Sequence, residues 1–140
     1  MKTVVDTNVI VALWDASDSL NSAAQSALDA GLANGGLVIP SVVYAELLAF
    51  AGRTERFLDT FFWETGIVVD WHIPEKVWRL AGSAFQSYAT RRKKHGEAGP
   101  RRILADFLIG AYASASHRAL LTLDERIYRA AFPGLKIITF

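Results

Sequence analysis

The sequence predicts an α/β domain in three layers, α/β/α, around a mainly parallel central sheet of about five strands. Three observations support this. Five short apolar runs rich in Val, Ile and Leu are separated by longer stretches of helical character. The runs are apolar throughout instead of alternating with polar residues, as expected for a sheet covered on both faces. The chain of 140 residues suits one domain, residues 1–140, with room for a substantial core.

The expected strands are Val4-Val5, Leu37-Val38-Ile39, Ile67-Val68-Val69, Ala119-Leu120-Leu121 and Lys136-Ile137-Ile138. Helices are expected over about 8–15, 20–33, 41–51, 54–65, 75–94, 101–116 and 124–131. Gly35-Gly36 closes the second helix, Thr54 precedes Glu55 in the fourth, and Pro74 suits the first position of the fifth. Between the last two long helices lies a loop from Lys94 to Arg101, interrupted by Gly96, Gly99 and Pro100.

Hydrophobic residues make up 51% of the chain and charged residues 21%, a balance that excludes a disordered segment. No apolar run approaches the ~18 residues needed to span a bilayer. Asp6 and Asn8 break the apolar N-terminal stretch, which therefore reads as a buried strand in a cytoplasmic protein. With no cysteine, disulfides and thiolate metal sites are excluded.

The net charge of +1 hides an asymmetry. Residues 91–102 (RRKKHGEAGPRR) carry six Lys/Arg and one Glu, leaving nine basic and thirteen acidic residues elsewhere. An acidic body with a basic strip suits a polyanion held beside a carboxylate cluster. The strip, Arg91, Arg92, Lys93, Lys94, Arg101 and Arg102, is a candidate RNA-phosphate contact. Four of its cations also fall where a helix C-terminus favours positive charge.

Two acids lie in unusual surroundings. Glu46 is the only charge in SVVYAELLAFAG, and Asp106 is the only charge in ILADFLIGAYASAS. Helices apolar nearly all round are normally buried, and a buried carboxylate needs a partner from elsewhere. For Asp106 that partner could be Arg102, at i−4. Small residues at Gly110 and Ala113 are expected to leave space beside its carboxylate.

Asp6 and Asp124 each follow a predicted strand, where functional groups of parallel sheets gather. Either could equally serve a helix start, with Thr122 and Glu125 forming a capping box beside Asp124. Four carboxylates in one place would repel one another. A hard divalent cation, Mg2+ or Mn2+, relieves that repulsion, takes oxygen ligands and activates water for attack on a phosphate. Asn8 and Thr122 could then orient carboxylates or waters.

At these residues the chain resembles a known family. VVDTNVIVAL resembles the opening motif of PIN domains, in particular those of VapC-type toxins of bacterial toxin–antitoxin pairs. SVVYAELLAF is similar to the family's glutamate-bearing helix, ADFLIGAYA to its third acidic motif, and LLTLDERIYRAAFPGLKII to its closing segment. The resemblance runs through nearly the whole chain in order.

It implies a PIN-like sheet of strand order 3-2-1-4-5. It also implies Mg2+- or Mn2+-dependent endoribonuclease activity that leaves a 5′-phosphate and a 3′-hydroxyl. Asp6, Glu46, Asp106 and Asp124 match the family's four acidic positions, with Asp6, Asp106 and Asp124 as metal ligands. The implied partners are RNA, a cognate antitoxin and a second copy of the chain, with no membrane. Many relatives carry a further acid or Asn shortly after the fourth aspartate; here Arg126 and Ile127 follow Glu125, pointing to one ion instead of two.

Trp14, Trp63, Trp71 and Trp78, with Phe61 and Phe62, exceed what so small a core needs; most are expected to be buried or half-buried, some at interfaces. His72, His95 and His117 have no metal-ligand spacing. Two other readings remain open. One is a receiver-like domain with Asp70, Thr122 and Lys136 as a phospho-acceptor site. The other is a PIN-like scaffold that binds RNA or protein without cutting.

Overall fold

In the computed structural model, which describes residues 1–96 and 103–140, five parallel strands form one sheet of order β3-β2-β1-β4-β5. The strands are β1 (Thr3–Val5), β2 (Leu37–Pro40), β3 (Val68–Asp70), β4 (Leu120–Leu121) and β5 (Ile137–Ile138). The helices are α1 (Thr7–Trp14), α2 (Asn21–Ala33), α3 (Ser41–Leu47), α4 (Glu55–Thr65), α5 (Glu75–His95), α6 (Leu104–Ala115) and α7 (Glu125–Ala131). Right-handed crossovers require α1–α4 on one face of such a sheet and α5–α7 on the other.

Burial follows position in the sheet. All four residues of β2 are buried, as are Val4, Val5, Leu120 and Leu121 of the central strands. The edge strands β3 and β5 are partly exposed. Register places Val4 opposite both Val38 and Leu120, so β1 and β4 end side by side. The Asp6 N–H extends that ladder by donating to the Leu121 carbonyl at 2.9 Å.

Local chemistry sets most element ends. Thr54 caps α4 by accepting from the Phe57 N–H at 3.1 Å. Gly35, after α2, has φ +100°, and a Cβ there would strike the Met1 carbonyl, so no other residue fits this turn. Stacking of Phe85 on Phe107 (4.9 Å between centroids) and the Tyr88–Phe107 contact pack α5 against α6. The middle of α5, around Phe85 and Tyr88, thereby lies beside the first turn of α6.

Several sequence expectations are corrected. α3 stops at Leu47, not residue 51, because tight bonds from Ala49 to Glu46 and Phe50 to Leu47 replace helical ones and Gly52 turns at φ +77°. Pro74 is the extended residue before α5 and not its first helical position. The largest miss concerns tryptophan. Trp63, Trp71 and Trp78 are exposed (87%, 64% and 49%), because α4, α5 and the end of β3 bury other faces. Only Trp14 packs inward, edge-on to Phe57 and Phe61, with the Arg53 guanidinium 4.5 Å above its ring.

Gly110 does not leave room beside a carboxylate. A Cβ there would collide with the ring carbons of Phe132 and press on Tyr128, so the missing side chain is what lets α6 and α7 approach. Gly110→Ala should therefore cost about 1–3 kcal/mol of stability by overpacking, read from urea denaturation. Unchanged stability would mean that α7 docks loosely.

Candidate active site beyond the carboxyl ends of β1 and β4

Asp6 is the residue after β1, and its side chain is only 5% exposed. Although it occupies the N-cap position of α1, it caps nothing. Its Oδ2 instead accepts two hydroxyl hydrogen bonds, from Thr122 Oγ1 at 2.8 Å and from the Tyr128 phenol at 2.9 Å. Burial pushes the Asp6 carboxyl up from 3.8 to about 6. The hydroxyls of Thr122 and Tyr128 pull against this, and the nearby Asp106 carboxylate adds to the rise.

Thr122 serves two groups. While donating to Asp6, its hydroxyl accepts from the Asp124 N–H at 3.0 Å. The capping box expected with Glu125 therefore does not form; Asp124 is the residue before α7, and its side chain makes no cap. Asn8 supports the same turn, its Oδ1 accepting from the Leu123 N–H at 3.2 Å. Asp124 thus stands half-buried on the rim formed by β1 and β4.

Glu46 finds its partner in Thr7, whose hydroxyl donates to Oε1 at 2.7 Å. That bond draws the last turn of α3 to the start of α1, next to Asp6. Asp106 lies half-buried in the first turn of α6. The Tyr128 phenol registers the whole group. Burial, the charges of Asp6 and Asp106, its hydrogen bond to Asp6 and the charge of Glu46 together push it well above its ordinary 10.

Sequence reading missed Thr7 and Tyr128. Thr7 carries no signal beyond its place between Asp6 and Asn8. Tyr128 lies beside Ile127 on the buried face of α7 and reads as core. Arg91, Arg92, Lys93 and Lys94 fall in the last turns of α5, shortly after Tyr88, which touches Phe107 beside Asp106. Arg101 and Arg102, the start of the helix expected at 101, most of the expected loop and the Arg102–Asp106 pair lie outside the described residues.

The receiver reading fails on topology. A receiver-type sheet has order 2-1-3-4-5, whereas β3 here is at the edge. Asp70 accepts from the Tyr112 phenol at 2.6 Å and the His72 N–H at 3.0 Å, while Thr122 engages Asp6.

The donor set on the rim is all oxygen, which suits a hard divalent cation. Among the described residues, no three acidic or histidine side chains are grouped closely enough to enclose an ion. The groups bonded to Asp6 Oδ2 are neutral, so they do not cancel its charge.

The sequence profile of the PIN domain matches residues 3–133. The chain belongs to the PIN-domain family. PIN domains are nucleases and generally use divalent metals. No curated protein matches the sequence. Among solved structures, a toxin–antitoxin complex from Klebsiella pneumoniae superposes with TM-score 0.68 at 19% identity, covering 99% of this chain and 97% of that one. The DNA-bound VapBC of Salmonella typhimurium gives 0.66 at 19%, covering 99% and 98%. VapBC-1 of nontypeable Haemophilus influenzae gives 0.63 at 23%, again covering 99% and 98%. At these identities the likeness is one of fold. Among the described residues of this PIN domain, no helix is long and apolar enough to cross a membrane.

A raised carboxyl pKa makes the fold bind the Asp6 proton more tightly than the unfolded chain does. Its stabilising contribution is complete below pH 3.8 and disappears as pH rises through about 6. Without divalent metal, Asp6→Asn should be more stable than wild type by up to about 3 kcal/mol at pH 8. The gap should close as pH falls to 4, measured by urea denaturation across that range. A constant gap would mean that Asp6 does not titrate as described.

Proposed function

We propose that this chain is a Mg2+- or Mn2+-dependent endoribonuclease, the toxin of a bacterial toxin–antitoxin pair acting on cytoplasmic RNA, with residues 1–140 as one nuclease domain. The observation that carries the reading is Asp6, buried just past β1 with its Oδ2 held by Thr122 and Tyr128, with Glu46 bonded to the adjacent Thr7 and Asp124 bonded through its N–H to Thr122 on the same rim. Asp6, Asp106 and Asp124 would hold the cation, in part through the ion's own waters, and Glu46 would complete the catalytic set. The ion, when bound, neutralises charge on the attacked phosphate and makes water a better nucleophile.

This chain's own groups prepare the site. Thr122 orients Asp6, Thr7 orients Glu46, and Asn8 holds the turn that presents Asp124. Arg91, Arg92, Lys93 and Lys94, joined by Arg101 and Arg102, hold the RNA backbone beside this acidic rim. An antitoxin and a second copy are the partners, a reading supported by the exposed Trp63, Trp71 and Trp78 and by solved relatives that are toxin–antitoxin complexes.

Incubation with defined RNAs tests the activity. Wild type should cut in Mg2+ or Mn2+ and stop when EDTA is added, while Asp6→Asn and Asp106→Asn stay folded and leave the RNA intact. Cleavage by Asp6→Asn at the wild-type rate would sink the proposal, and unfolding of Asp106→Asn would make Asp106 structural. Replacing Arg91, Lys93 and Lys94 by Gln should weaken RNA binding similarly for all sequences. The salt slope should flatten by about one for each phosphate that is no longer neutralised; weakening confined to particular sequences would point to base recognition instead.

A further inference from the structure

Tyr128 is 1% exposed and among the largest fully buried side chains of the chain. A phenylalanine would fill the same volume without burying a polar atom, and a buried hydroxyl is costly unless it is hydrogen-bonded. Its partner here is Asp6, bonded on the same oxygen, Oδ2, that Thr122 already engages. Two donors on one oxygen of a carboxylate restrict its rotation.

The phenol's own position is fixed by packing. The ring lies against Gly110 on α6, on the helical face that carries Asp106 one turn earlier. Asp124 precedes Tyr128 by one turn at the start of α7. A single ring thus spans the gap between β1, α6 and α7, the elements bearing Asp6, Asp106 and Asp124.

We propose that Tyr128 is a positioning residue of this site: with Thr122 it holds Oδ2 of Asp6, so that the remaining carboxylate oxygen is kept ready for a divalent cation. The inference rests on the reading of the rim as a cation site. Donors that orient a metal-binding carboxylate typically contribute about 10–100-fold to metal affinity.

Mn2+ binding measures this directly. Free Mn2+ is followed by its paramagnetic resonance signal while wild type, Tyr128→Phe and Asp6→Asn are titrated at pH 7.5. Tyr128→Phe should bind Mn2+ about 10-fold or more weakly than wild type while remaining folded at the assay temperature, whereas Asp6→Asn should lose binding. Wild-type affinity in folded Tyr128→Phe would reduce Tyr128 to a packing residue while leaving the cation site standing. Wild type that takes up no Mn2+ overturns both readings.

A second measurement does not depend on the variant folding. In wild type labelled with 13C at tyrosine Cζ, the Tyr128 resonance, assigned by replacing the other three tyrosines in turn, should move on addition of Mg2+. A resonance that ignores Mg2+ while Mn2+ binds overturns the positioning role alone.

Discussion

A single buried carboxylate organises one end of this molecule. Asp6 follows directly on the central strand β1, so its backbone belongs to the sheet while its side chain belongs to the rim. Placing an ionisable group there costs desolvation, and the fold offsets part of that cost with hydroxyl donors from two distant segments. The parallel pairing of β1 with β4 makes this possible, because it brings Thr122 level with Asp6.

The other acids reach the same rim by different routes. Glu46 arrives on a short helix tied to Thr7, and Asp106 arrives on a helix running against the strands. The route of Asp106 leaves its carboxylate near that of Asp6, which a fold selected for stability alone would avoid. Such an arrangement is usual where a site must attract a cation, with the repulsion tolerated until the ion binds. Membership in the PIN-domain family and the proposed nuclease activity are consistent with that trade.

Core packing and site geometry are coupled through α7. Gly110 permits the close approach of α6 and α7, the approach seats Tyr128, and Tyr128 reaches Asp6. A change that looks like a packing defect on α6 would therefore be felt at the carboxylate. The exposed tryptophans lie on α4, on α5 and just past the carboxyl end of β3, where Trp71 packs on Tyr44.

Much of the fold could be read without coordinates. Continuous apolar runs, helical stretches between them and caps such as Thr54 are signals within a few residues, and they located all five strands and seven helices to within a few positions. Lone acids in apolar helices singled out Glu46 and Asp106 by the same local logic. Strand order came from family resemblance, since periodicity does not encode which strands pair. Only the tertiary structure decided what each acid touches. The bonds from Thr122 and Tyr128 to Asp6 span 116 and 122 residues, and a tyrosine on an apolar helix face looks like core until the strand it meets is known. Exposure of Trp63, Trp71 and Trp78 was likewise hidden, because hydrophobicity reports a residue's tendency to be covered and not whether another element is present to cover it.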